Sequence, residues 1–140
     1  MCTASRWLNS QALAQGLKSH DDSYKRLQSF LARPHDIEHD HWRDVCRDDQ
    51  CALGKSLHDG KDAVYRLADS SGVLNYTEAL IEHAKLHLLI SDIVRHCEDG
   101  YIGTARNIAA SVEYQNQVTA VRQSIQRLLA RAQEPEQVTP

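Results

Sequence analysis

Residues 76 to 98 carry Leu80, His83, His87, Ile90, Val94 and Cys97 three or four positions apart. Apolar residues at that spacing fall on one face of an α-helix, because a turn takes 3.6 residues. Two other stretches repeat the pattern. Residues 5 to 32 carry Leu13, Leu17, His20, Tyr24, Leu27 and Leu31, spaced 4, 3, 4, 3 and 4. Residues 104 to 132 carry Ala105, Ile108 and Val112, then Val118, Val121, Ile125 and Leu128. The period-two alternation of a half-buried strand is nearly absent. A chain patterned this way buries its apolar faces by packing helix on helix.

The stripes are separated by residues that end helices. Pro34 disfavours helix at Arg33 and predicts the end of the first one there. "EDGYIG" interrupts the pattern at Gly100 and Gly103. The middle, 35 to 75, is less regular. "HDIEHDHWRDVCRDDQ" reads as a polar connection with a turn or two of helix. Asp48 or Asp49 stands where it would cap a short helix through "QCALGKSLH". "KDAVYRLADSSG" reads as another short helix ending at Gly72. The expected fold is all-α, an antiparallel four-helix bundle with a short helix carrying the Cys51 motif. Residues 1–132 are expected to form its single domain. The tail 133–140, "QEPEQVTP", is expected to be disordered.

Charge and composition narrow the function classes. The net charge is -3 and no basic cluster stands out, which argues against a dedicated nucleic-acid surface. No apolar run approaches the roughly 20 residues of a membrane span. "MCTASRWLNSQ" has neither the basic start nor the apolar stretch of a secretory signal. A cytoplasmic protein is therefore expected, with reduced thiols. Cys2, Cys46, Cys51 and Cys97 are not spaced like a disulfide framework. Cys97 continues an apolar stripe and reads as core.

The histidines carry the chemistry. His83 and His87 lie four apart, so both imidazoles project from one helix face about a turn apart. That spacing lets two rings reach one metal ion from a rigid helix. His20 also occupies an apolar-stripe position. Three buried histidines each require a hydrogen-bond partner or a ligand role, and one shared metal satisfies all three. A closed tetrahedral zinc site needs a fourth donor. Cys51, in "CALG", is the best candidate, and Gly54 beside it leaves room for a neighbouring helix. Asp21, Asp22, Glu82 and Asp92 are near enough in sequence for one of them to orient a ligand imidazole, though for any one of them a solvated helix face is the commoner role. His35, His39, His41 and His58 fall in polar segments and read as exposed loop residues.

At this point the chain resembles a known family. "CALGKSL" is similar to the Cys-x-[Leu/Phe]-Gly-x-Trp-Leu motif of the chemoreceptor zinc-binding (CZB) domain, and "HAKLH" to its later His-x-x-x-His. His20 stands 31 residues before Cys51, where the family has its first-helix histidine. The likeness runs from about Leu13 to Leu129. It implies one zinc ion per chain, held by His20, Cys51, His83 and His87 in a four-helix bundle. It also implies a regulatory module, often dimeric, attached to chemoreceptors or diguanylate cyclases. Such modules respond to zinc or, through the cysteine, to oxidants such as hypochlorous acid. The chain departs from the pattern at Ser56, where the motif has Trp, so that ring's packing role is either missing or supplied by Trp42 or Tyr65. The family's first-helix His-x-x-Trp reads "HDDSY" here, with Ser23 at the Trp position. "HDHW" places His39 in a literal match, but after Pro34 and only twelve residues before Cys51, so His20 is preferred. No output domain accompanies the motif, so a stand-alone sensor or a fragment is expected. Two other classes compete: a hemerythrin-like metal-binding bundle, and a helical interaction protein that holds no metal. The first reading is not an enzyme, since four protein donors leave no open position for substrate; the second would be a metalloenzyme or oxygen carrier.

Overall fold

The computed structural model describes residues 8–32 and 51–132. Among them are six helices and no strand: α1 (Ser10–Ala32), α2 (Ala52–Asp59), α3 (Lys61–Leu67), α4 (Ser70–Glu98), α5 (Ile102–Ala109) and α6 (Val112–Ala132). The Asp48 or Asp49 cap, the His39 alternative, Trp42, His35, His41, Cys2, Cys46 and the tail 133–140 lie outside the described residues.

The cross-helix bonds fix the chain directions. Gln117 on α6 donates to the Glu82 carbonyl at 2.9 Å and to its carboxylate at 2.7 Å. Arg127 pairs with Glu78 at 3.5 Å, and Arg131 with Asp69 at 2.5 Å. Numbers rise on α6 as they fall on α4, so the two run antiparallel. The same holds for α1 against the last helices, through Arg122 to Asp21 at 2.6 Å and Arg106 to the Leu31 carbonyl at 2.8 Å. Tyr76 on α4 donates to the Leu57 carbonyl on α2 at 2.7 Å. Neighbours are thus antiparallel, and α1 and α4 are parallel across the diagonal of the bundle. Their backbones do not pack on each other directly; α2 and α6 lie between them. The core fills this centre with Leu13, Leu27, Leu53, Leu86, Ile125 and Leu128, all buried.

The stripes of α1 and α4 face inward as their spacing predicts. Leu13, His20, Leu27 and Leu31 are buried on α1, as are His83, His87, Ile90, Val94 and Cys97 on α4. Three boundaries differ from expectation. The helix of "KDAVYRLADSSG" ends at Leu67, and α4 begins at Ser70 rather than near residue 76. Asp69 is the cause: its carboxylate accepts the Gly72 N–H at 2.8 Å, so Gly72 sits in the first turn of the next helix instead of ending the previous one. The stretch 104–132 is broken between Ala109 and Val112. The Ser111 hydroxyl donates to the Ile108 carbonyl at 2.6 Å and accepts the Tyr114 N–H at 3.1 Å, closing one helix and opening the other. The shift in phase turns Val112 outward, 75% exposed, and Tyr114 inward. His58 is exposed as expected, but on α2 rather than in a loop.

One glycine sets a helix distance. A Cβ on Gly16 would lie 2.9 Å from the Leu53 Cα and 3.2 Å from its nitrogen. Only glycine lets α1 and α2 approach this closely, and the approach brings Cys51 toward α1. No helix among the described residues is long and apolar enough to cross a membrane.

Candidate metal centre

Each of the four donors is placed by a local feature of its own segment. His83 and His87 project from successive turns of α4 into the core, 1% and 3% exposed. His20 meets them from α1 and is 4% exposed. Cys51 is the residue before α2, in extended backbone at φ -76 and ψ 157, and its Sγ accepts the Gly54 N–H at 3.2 Å. Cys51 therefore caps its own helix, the role the sequence suggests for Asp48 or Asp49. A backbone N–H at the head of a helix favours negative charge on the atom it faces.

The donor atoms converge. The Nε2 of His87 is 3.0 Å from that of His83 and 3.2 Å from that of His20. The Cys51 Sγ is 3.2 Å from His83 Nε2 and 3.5 Å from His87 Nε2. All four donors lie within 4.8 Å of one another. A tetrahedral metal with bonds of about 2.0–2.1 Å to nitrogen and about 2.3 Å to sulfur spaces its nitrogens about 3.3 Å apart. The same geometry puts sulfur about 3.6 Å from nitrogen. The four observed separations come within a few tenths of an ångström of those edges. Hydrogen bonding alone fits less well. An imidazole nitrogen has one in-plane position, a proton or a lone pair, yet His87 Nε2 faces three donors at once. The residues fit a metal.

Burial also sets the protonation the site needs. The His20 imidazole is pushed down to about 3, first by burial and then by His87. That of His83 is pushed down to about 2 by burial, then His87, His20 and His58. Both rings are neutral at pH 7, which is the ligating form.

No protein-family model, curated protein or solved structure matches the chain.

Around the donors, the four nearby carboxylates have other partners or face solvent. Asp21 pairs with Arg122, Glu82 meets Gln117 and Lys85, Asp92 pairs with Arg95 at 3.0 Å, and Asp22 is exposed. The group on a ligand imidazole is Tyr24, whose Oη is 2.5 Å from His20 Nδ1, with the rings edge to face at 4.8 Å. Tyr24 is one turn after His20, and that i, i+4 step was the available signal. Burial holds its phenol above the usual tyrosine range. Tyr65 does not reach the centre; half exposed on α3, it packs edge-on against Tyr76 at 6.1 Å. Ser23, Tyr24, Leu27 and Ile90 line a pocket that reaches His20, Cys51 and His87. Cys97 is buried in the core, and burial pushes its thiol up.

Proposed function

We propose that His20, Cys51, His83 and His87 hold one zinc ion, and that the chain is a CZB-like sensory or regulatory module. In this reading it acts by protein–protein contact and not as an enzyme. The observation that carries the reading is the convergence of four donors within 4.8 Å, with four of their six separations close to the edges of a tetrahedron. A thiolate among imidazoles suits zinc. Among the described residues the donor cluster contains no carboxylate, whereas a hemerythrin-like di-iron site uses bridging ones.

Three helical segments supply the donors, so metal binding contributes folding energy and ties α1 to α4. Loss of zinc releases that tie and changes how the helices pack, a two-state signal a partner can read. Cys51 is only partly buried, and its oxidation would weaken one ligand bond to the same effect. By resemblance, the partner is a second copy of the chain together with a chemoreceptor or diguanylate cyclase.

The test is metal content by native and denaturing mass spectrometry after zinc reconstitution, with a His83→Ala/His87→Ala variant. One zinc per wild-type chain, lost in the variant, is expected, with a lower melting temperature after chelation. A wild type that takes up no zinc, and whose melting temperature ignores chelator, would sink the reading.

A further inference from the structure

We propose that Tyr24 is a positioning residue for His20, serving it as hydrogen-bond acceptor when the metal is held and as donor when it is absent. The inference rests on reading the four donors as a metal centre and adds a residue outside that set.

All three imidazoles turn Nε2 to the centre. A metal there takes the Nε2 lone pair, so the His20 proton must sit on Nδ1. Nδ1 faces the Tyr24 oxygen at 2.5 Å, and the phenol accepts from it. Without metal, the His20 Nε2–H can donate to His87 Nε2, 3.2 Å away. Nδ1 then carries a lone pair, and the Tyr24 O–H donates to it. A hydroxyl rotates about its C–O bond and serves both tautomers. An ionised carboxylate, the usual partner of a ligand histidine, accepts only and would commit the proton to Nδ1. Tyr24 thus keeps the His20 ring aimed at the centre through loading and unloading. His20 is the only donor from α1, so this bond bears on whether α1 is engaged at all.

The experiment compares wild type, Tyr24→Phe and Tyr76→Phe. Tyr24→Phe keeps the ring packing and removes the hydroxyl. Tyr76→Phe removes a buried hydroxyl that bonds the Leu57 carbonyl, so it reports a merely structural loss. Zinc affinity is measured by competition with a chromophoric chelator. Histidine nitrogen shifts, by NMR, report the His20 tautomer with and without zinc. Tyr24→Phe is expected to weaken zinc binding about 10-fold to 100-fold while still binding one zinc at saturation. Its His20 Nδ1–H signal in the zinc form should be lost to exchange. Tyr76→Phe should leave affinity within about twofold of wild type, a shift of under about 0.4 kcal/mol. Equal affinity in Tyr24→Phe and wild type overturns the proposal, as does an equal loss in both variants. If wild type binds no zinc, the metal reading fails first, and this proposal falls with it.

Discussion

At Gly16 a single hydrogen atom occupies the place of a side chain, and two opposed effects meet there. Alanine favours helix over glycine by about 0.8–1.0 kcal/mol. A methyl group at this position would meet Leu53 backbone at 2.9 Å, and overpacking of this kind costs roughly 1–3 kcal/mol. Backbone cannot rotate aside as a side chain can, so the clash should win. Gly16→Ala is expected to lose roughly 1 kcal/mol net in urea unfolding. It should also weaken zinc binding, because Leu53 is two residues from Cys51 and must shift. A more stable Gly16→Ala protein would mean that α1 and α2 are not held at this distance. Gly16 was not legible as a contact in sequence, where it falls inside an apolar stripe with no mark of what lies opposite. His83 and His87 were legible, because four residues on a helix is a fixed geometry.

At the scale of elements, the donors are unevenly shared: two on α4, one at the head of α2 and one on α1. Removing His20 leaves three donors, the number found in open zinc sites with a water as fourth ligand. His20→Ala should therefore still bind one metal, more weakly, whereas His83→Ala/His87→Ala should bind none. Cobalt substitution makes this visible, since an added water alters the visible absorption of a tetrahedral site. Equal loss in the two variants would contradict the division of labour. The same scale shows why the sequence reading held for α1 and α4 and failed at the end of the chain. In α1 and α4 the 3 and 4 spacing continues without a gap, and every stripe residue named there is buried or partly buried. The break falls between Ile108 and Val112, where the spacing of four runs on unchanged, and the stripe then passes over five positions before Val118. No glycine or proline marks the break, and Ser111, which makes it, resembles any polar surface residue. Asp69 is hard to read in sequence for a related reason: Gly72 suggests a helix end more loudly than an aspartate suggests a start.

For the whole molecule, the buried imidazoles make metal-free stability depend on pH. His20 and His83 have folded values of about 3 and about 2, below the 6.5 of an open histidine. Below pH 6.5 the unfolded chain takes up protons that the folded one refuses, so stability falls with falling pH. The slope is at most about 1.4 kcal/mol per pH unit for each ring, continuing until the folded values are reached. Urea midpoints of the metal-free protein should drop from pH 7 to pH 5, and His20→Leu/His83→Leu should flatten the trend. A midpoint that rose on acidification would show that the rings are charged in the fold. The diagonal placement of α1 and α4 has a mechanical meaning as well. Four rods joined only along their sides make a frame that can lean into a rhombus without changing the length of any side. A strut across the diagonal removes that freedom. In the proposed metal-bound state the His20 bond to the centre would be such a strut, and its release would first set loose shear of the whole frame, with each side contact still in place.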